Sequence, residues 1–353
     1  MSLQELRIEC LRCIQSAELE LQPRLNLISG PNGSGKTSVL EAIHLLGRGR
    51  SFRTRITERL IRRGTPALRV FGRTGDALPH DIGVGCDRET GVEARVDRRP
   101  VDSLAELSSL LPLQLIDPGI HRLVEEGPLQ RRRWVDWGVF HVEPGFIRNW
   151  TDYTRALRQR NAALKQGATT EPWDLELARL GESLAESREA LLQSLEPLWQ
   201  EICGRLLAGI HLEWSFHRGW SQDHSLAESL RLHLLRDRER GSTGVGAHRF
   251  DVALKADGRL AREVLSRGQQ KLLGASMTLA MARLAAGTGP QRHPMLLLDD
   301  PAAELDREKT GLLIAEITSL DCQLVVTALD PNRPEFGPPE RAFHVEHGRV
   351  KQL

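Results

Sequence analysis

The chain of 353 residues carries 40% hydrophobic and 27% charged residues, ordinary globular values that argue against wholesale disorder and allow one large domain with an inserted lobe, or two domains. No apolar run approaches the roughly 18 residues of a membrane span, and Glu5, Arg7 and Glu9 precede any long apolar stretch, against a secretory leader. The net charge of +1 conceals an asymmetry: Arg48 to Arg73 holds nine arginines and one acid, Glu58, a net +8 that leaves −7 for the rest.

Leu3 to Ile8 and Ala17 to Leu21 alternate as two strands of a hairpin-like start. Between them Cys10 and Cys13 form one C-x-x-C with no second pair to complete a zinc site. The five cysteines are odd in number and scattered, so no disulfide framework is expected, and a reducing cytoplasm fits. Leu25 to Ile28 is a short apolar strand, followed by a glycine-rich loop and a helix over Thr37 to Leu46. Leu68 to Val101 reads as short strands of a small antiparallel sheet, and Leu113 to Ile116 as one further strand. From Pro118 to Arg240 the pattern is helical, with Leu184, Leu191, Leu192 and Leu195 on one face; Pro172, Gly181, Pro197 and Gly204 are expected to interrupt it. Gly241 to Gly246 reads as a hinge-like loop. Met295 to Leu298 and Leu324 to Val326 read as buried parallel strands. The expected architecture is an α/β fold with a mixed sheet core, a small antiparallel sheet and an inserted helical lobe. Its tracts are 1–117 (core, with the glycine-rich loop), 118–245 (helical insertion) and 246–353 (the rest of the core).

Gly30-Pro31-Asn32-Gly33-Ser34-Gly35-Lys36-Thr37 matches G-x-x-x-x-G-K-[ST]. Such glycines let backbone N–H groups curl around phosphate oxygens, and the helix that follows points its positive end at the anion. Lys36 is expected to reach the β- and γ-phosphates of ATP and Thr37 to supply a hard oxygen to Mg²⁺. Leu298-Asp299-Asp300 ends a buried strand in two carboxylates. Asp299 is expected to hold Mg²⁺ and Asp300 to polarise an attacking water, with Lys36 and Asp300 the catalytic pair. Leu265-Ser266-Arg267-Gly268-Gln269-Gln270 is similar to the LSGGQ signature of ABC-type ATPases, with Arg267 in place of the first glycine. Ser266, Gly268 and Gln269 then complete a second subunit's ATP site, and the bland alternative is a polar helix cap. Ala303-Glu304-Leu305-Asp306 resembles the loop that follows the Walker-B strand. Gln114 is a candidate for a glutamine contacting Mg²⁺. Arg53, Arg55, Arg59, Arg62 and Arg63 are candidates for DNA phosphates, the alternative being a solvated face.

The whole chain resembles the RecF family. The residues that carry the resemblance are Glu41-Ala42-Ile43, Arg50-Ser51-Phe52-Arg53, Gly127-Pro128, Arg131 to Trp137, Tyr153 to Leu164, Gly246 to Asp251, and the Gly268, Asp299 and Asp306 motifs. The tract at 246–251 departs from the family's G-P-H-R-D-D at Ala247 and Phe250, and Thr327 stands where many ABC ATPases carry a switch histidine. The resemblance implies a cytoplasmic, ATP-dependent DNA-binding protein of recombinational repair. It would dimerise on ATP, bind duplex or gapped DNA, work with RecR and RecO to help load RecA, and hydrolyse ATP weakly to let go. A transporter subunit, a long-armed SMC-like protein and a P-loop kinase are competing classes. The arginine segment tells against the first, the proline-broken insertion against the second, and the signature-like tract against the third. One Tyr and 5% aromatics favour duplex over base-stacked single strands.

Overall fold

A computed structural model describes residues 2–75, 78–287, 294–330 and 336–353. The chain opens with β1 (Leu3–Leu11), β2 (Ile14–Glu20), β3 (Leu25–Ser29), α1 (Lys36–Arg48), β4 (Ala67–Thr74), β5 (Asp81–Asp87), β6 (Gly91–Val96), β7 (Arg99–Pro100), α2 (Leu104–Leu110) and β8 (Leu113–Ile116). The middle contains α3 (Arg122–Glu125), α4 (Pro128–Val142), α5 (Phe146–Gln166), α6 (Glu171–Leu206), β9 (Leu212–His217), α7 (Leu226–Leu232), α8 (Leu234–Arg240), β10 (Asp251–Ala256), β11 (Arg259–Leu260) and α9 (Ala261–Val264). The last part runs α10 (Arg267–Ala286), β12 (Met295–Asp299), α11 (Arg307–Thr318), β13 (Leu324–Ala328), β14 (Arg341–Glu346) and β15 (Arg349–Gln352). Two compact units result, Met1–Ile120 with Ala282–Leu353, and His121–Met281.

The first unit holds two six-stranded sheets. One is antiparallel in the order β2-β1-β4-β5-β6-β7, so the expected hairpin and the expected small sheet are one sheet. Strand alternation explains the join: Leu3, Leu6, Ile8 and Leu11 on β1 and Leu68 and Val70 on β4 are buried in one cluster. The other sheet has the order β15-β14-β3-β13-β12-β8, parallel except for the β14–β15 hairpin. Its central strands β3, β13 and β12 are buried along their whole length, as parallel strands covered on both faces must be. Helix α1 packs against strands of both sheets, with Val39, Leu40, Ile43 and Leu46 in the shared core. The P-loop lies at the carboxyl end of β3, and Asp299 and Thr327 lie at the same end of the neighbouring strands.

The second unit corrects two expectations. Helix α6 is continuous for 36 residues: Pro172 sits in its first turn, and Pro197 and Gly181 lie inside it. An internal proline costs about 3 kcal/mol. Leu191, Leu192, Leu195, Trp199 and Ile202 are all buried around Pro197, each worth roughly 1.5–3 kcal/mol, and that burial wins. Gly181 is where the side chains of Leu226 and Tyr153 approach too closely for a Cβ. The tract taken as helical to Arg240 also contains β9, which pairs with β10 (Leu254 opposite Trp214, Val252 opposite Phe216) in a three-stranded sheet with β11. This pairing ties residues 251–256 to the helices, so 246–281 clusters with His121–Met281 rather than with the C-terminal strands. The stacked indoles of Trp199 and Trp214, 4.1 Å between centroids, fix β9 on α6.

Candidate functional site

The loop after β3 is shaped by glycine. Gly33 and Gly35 have φ of 75° and 119°, a region that L side chains rarely adopt. A Cβ at Gly35 would stand 2.9 Å from the Cys13 thiol, and one at Gly30 would collide with the Val345 carbonyl. Helix α1 starts at Lys36 with no side-chain cap on its first turn, which leaves its N–H groups for an anion. Ser34 Oγ is buried and has no hydrogen-bond partner among the described residues. An orphaned hydroxyl inside such a loop fits a phosphate oxygen, and the cradle as a whole fits a nucleotide's phosphates. Lys36, 8% exposed, turns its ammonium onto Gly30 O (2.7 Å) and Pro31 O (3.0 Å). Burial lowers its pKa below the ordinary lysine value, partly offset by the charges of Asp300 and Asp299.

Thr37 Oγ1 donates to Asp299 Oδ1 at 3.0 Å. The two candidate Mg²⁺ ligands, 262 residues apart in sequence, are therefore in contact. Two hard oxygens from the protein leave the remaining positions of an octahedral ion to phosphate and water, the usual way Mg²⁺ is held. The donor set fits. Asp299 is 9% exposed, and burial raises its pKa against the opposing effects of the Thr327 and Thr37 hydroxyls and the Arg53 charge. Thr327 is the residue that sequence reasoning read only as a missing histidine. Its hydroxyl lies 2.9 Å from Asp299 Oδ1 and accepts the Asp300 N–H at 3.0 Å. It holds both carboxylate residues where β12 ends. Asp300 itself has φ of 45°, a left-handed conformation that a non-glycine residue keeps only where its surroundings impose it.

The Arg53 charge that acts on Asp299 belongs to a segment anchored on α1. Glu41, fully buried on α1, accepts both Nε and Nη2 of Arg12 at 2.9 Å and the hydroxyl of Ser51. The same Ser51 Oγ accepts the N–H groups of Arg53 (2.9 Å) and Thr54 (3.1 Å). Glu41 thus fixes the start of the arginine segment from α1, and the Arg53 charge at that start favours the ionised form of Asp299. The other arginines divide. Arg62 is half-buried and donates to Cys13 O; Arg48 donates to Leu113 O (3.1 Å); Arg73 pairs with Asp81 (2.7 Å). Arg55, Arg59 and Arg63 are exposed, around the 3₁₀ turn Thr57–Leu60. The compositional cluster is therefore partly structural, and its open part is smaller than the charge count suggested.

The remaining motifs stand as follows. Ser266 is exposed at the start of α10, where its N–H donates to Gln269 Oε1 (2.8 Å) and its Oγ accepts the Gln269 N–H (3.4 Å), a reciprocal cap. Gln270 ties the same turn to Leu265 O. Gln114 lies within β8 opposite Leu296, and its buried Nε2 has no hydrogen-bond partner among the described residues. Asp306 caps α11 through Lys309 N (2.8 Å). In the tract 246–251, Asp251 pairs with both arms of Arg131 (2.9 and 3.1 Å) and His248 Nδ1 meets Tyr153 OH (2.8 Å). Burial lowers the His248 pKa to about 4. Ala247 and Phe250, the two departures, are buried, with the Arg188 guanidinium 5.1 Å over the Phe250 ring.

The family described as RecF/RecN/SMC N terminal domain matches residues 2–349. The DNA replication and repair protein RecF of Pseudomonas aeruginosa strain LESB58 is 38% identical, over 100% of this chain and 98% of its own. That of Shewanella baltica strain OS223 is 40% identical over 99% of each chain. Among solved structures, the recombination mediator protein RecF-ATP of the RecFOR pathway superposes with a TM-score of 0.88 at 24% identity, covering 99% of this chain and 97% of that one. An Smc head bound to the C-winged helix domain of ScpA gives 0.65 at 14% identity, covering 100% and 97%. At those identities the structures speak to the fold, the ATPase head shared by RecF and Smc, while the full-length sequence matches settle the lineage: this chain belongs to the RecF family of DNA replication and repair proteins.

Proposed function

We propose that this chain is an ATP-dependent DNA-binding protein of recombinational repair. It dimerises on ATP, grips duplex or gapped DNA, helps load the RecA recombinase together with RecR and RecO, and releases DNA after slow ATP hydrolysis. The observation that carries the reading is the meeting of Thr37 and Asp299, 3.0 Å apart, beneath a left-handed glycine loop with an unpartnered buried hydroxyl. Relatives named for DNA replication and repair, and a similar fold described as RecF-ATP, support the same assignment.

Residues 30–37 take the phosphates through backbone N–H groups and the Ser34 hydroxyl. Lys36 exchanges its loop carbonyls for phosphate oxygens. Thr37 and Asp299 hold Mg²⁺, which neutralises phosphate charge when bound. Asp300 orients and deprotonates the attacking water, its backbone pinned by Thr327. With a threonine rather than a histidine at 327, no imidazole is available there to assist, and turnover is slow. Ser266, Gly268 and Gln269 present the start of α10 to the ATP of a second copy. Arg55, Arg59 and Arg63 contact DNA phosphates without reading sequence. Arg53, tethered through Ser51 to Glu41 on the same helix as Thr37, links nucleotide state to that segment.

The test is DNA binding by the full chain with and without ATP, on duplex, gapped and single-stranded probes, beside Lys36→Ala. ATP should tighten wild-type binding and leave the variant unchanged; equal binding by both under all conditions rejects the reading. Light scattering with ATP and Mg²⁺ tests the dimer. Ser266→Arg should abolish it while ATP still binds. Ser266→Gly, which costs a helix cap only a few tenths of a kcal/mol, controls for the lost cap.

A further inference from the structure

The unit His121–Met281 contains an open cavity of about 700 Å³, built from none of the residues assigned to ATP. Its lining includes His217, Trp220, Ser221, His233, Arg240 and Arg249, and no carboxylate. The walls are held from behind. Arg160, wholly buried, binds Asp237 Oδ2 (2.7 Å) and Thr243 Oγ1 (2.8 Å), and Asp237 Oδ1 accepts the Gly244 N–H (2.9 Å). Gly246 N donates to Gly219 O (3.0 Å), which joins the two loops that flank the opening. Neighbouring polar groups are consumed internally: His248 by Tyr153 and Thr243, Asp251 by Arg131, and Arg218 by Glu189. Arg240 and Arg249 are exposed, and their guanidiniums make no ion pair or hydrogen bond among the described residues. The Gly219 N–H donates to His217 Nδ1 (3.0 Å), so the ring proton sits on Nε2, the nitrogen not engaged with the loop. His233 binds Ser229 O through Nδ1 (2.9 Å). Two acids are tied to lining residues from outside the cavity: buried Asp237 through the Gly244 N–H, and Asp223, which accepts the Ser221 hydroxyl at 3.0 Å.

Two unpaired guanidiniums and two imidazoles in one cavity with Trp220 and Val245 form a receptor for an oxyanion. Arginine pairs give phosphate bidentate hydrogen bonds. The volume exceeds what a lone phosphate needs and lies in the range of small-ligand sites, so a nucleoside attached to that phosphate has room against Trp220. We infer that this cavity takes one phosphodiester and its nucleoside from a nucleic-acid strand, a contact separate from the arginine segment of the other unit. The inference rests on the DNA-binding reading above and adds a strand contact in the helical unit.

The experiment has two arms on the full-length protein. In the first, a labelled oligothymidylate is titrated with wild type, with Arg240→Ala/Arg249→Ala, and with Arg55→Glu/Arg59→Glu/Arg63→Glu, across a salt series. The cavity variant should bind about tenfold more weakly, and its log–log salt slope should shrink by about 0.7, the contribution of one single-strand phosphate contact. Nucleotide binding should be unchanged. In the second arm, the imidazole resonances of His217 and His233, assigned with His217→Gln and His233→Gln, are followed while thymidine 3′,5′-bisphosphate or inorganic phosphate is added. The bisphosphate should shift both resonances in wild type and in the arginine-segment variant, and neither in Arg240→Ala/Arg249→Ala. Shifts with inorganic phosphate alone, with strand affinity unaltered in the cavity variant, reduce the cavity to a simple anion site and overturn the inference. No shift with either ligand also overturns it. If wild type binds no strand at all, the DNA-binding reading fails, and the bisphosphate arm alone decides whether the cavity is a nucleotide site.

Discussion

Replacing Thr327 by Val removes one hydroxyl and almost no volume from the end of β13. That hydroxyl serves the Asp299 carboxylate (2.9 Å) and the Asp300 N–H (3.0 Å), and its residue is buried. Leaving a buried N–H unpaired costs roughly 1–3 kcal/mol, and a hydrogen bond to a charged group is worth roughly 1.5–3. The two losses overlap, because one oxygen makes both contacts, so about 3 kcal/mol is expected in the unit that contains the parallel sheet. For a domain of this size that is a fall in Tm of about 6–12 °C. Asp299 also loses a contact that stabilises its ionised form, and its already raised pKa rises further. Affinity for ATP·Mg²⁺ should therefore fall more at pH 6 than at pH 8, whereas affinity for ATP without Mg²⁺ should hold. Differential scanning calorimetry and titration calorimetry at the two pH values read these effects. Thr327→Ser keeps the oxygen and should restore both. If Thr327→Val melts and binds like wild type at both pH values, the hydroxyl does not organise the carboxylates, and Asp300 keeps its left-handed backbone for another reason.

Asp299→Asn should stabilise the ligand-free protein while abolishing Mg²⁺-dependent ATP binding. A carboxyl whose folded pKa is raised above its unfolded value costs stability as pH climbs through that interval, so the gain should appear above it and vanish in acid, as urea melts at several pH values would show. Ser34→Ala removes a buried hydroxyl with no protein partner; it should leave unliganded stability equal or higher and weaken ATP about 2- to 12-fold, the worth of one hydrogen bond, and unchanged affinity would separate that hydroxyl from the phosphates. His248 is neutral in the fold, with its pKa lowered by burial from 6.5 to about 4, so the folded state binds fewer protons than the unfolded one between those values. Stability of the helical unit should fall as pH drops from 6.5 toward 4, and His248→Gln should flatten that dependence in denaturant melts. Asp251→Asn should cost the helical unit about 3 kcal/mol by leaving the buried Arg131 guanidinium half-paired, measurable by urea denaturation of the full chain.

The parts of the fold that could be read in sequence are those where a local pattern carries its own reason. The glycine loop and helix α1 follow from phosphate-cradle spacing, and β3, β12 and β13 from short apolar runs that only a doubly covered parallel sheet accommodates. Helix α6 was misread because proline and glycine are breakers only when nothing outweighs them, and the buried stripe from Leu177 to Leu206 does. Strand β9 was missed because Leu212 to His217 alternates for only six residues inside a helical tract, and its partner β10 lies beyond two helices. Such pairing depends on contacts that no window of sequence contains. The resemblance tracts in the helical unit, from Arg131 to Asp251, include a set of internal pairs: Arg131 with Asp251, Asp136 with Arg188, and Tyr153 with His248.

The arginine segment shows what a charge count leaves out. A count treats nine guanidiniums as equivalent, yet their surroundings sort them by what they can reach. Arg48, Arg62 and Arg73 are drawn to carbonyls or carboxylates of the fold, at costs and gains already part of its stability. Arg53 is held by Ser51, and Ser51 by a Glu41 that has no exposed surface and would be costly to bury without Arg12. That buried carboxylate sits on α1, one turn beyond Thr37, and it specifies the path of the segment in space. Removing its charge should therefore disturb the segment's geometry, not merely its net charge. A change confined to Arg55, Arg59 and Arg63 should instead alter salt dependence and leave the nucleotide site as it is, because no contact among the described residues joins those three side chains to it.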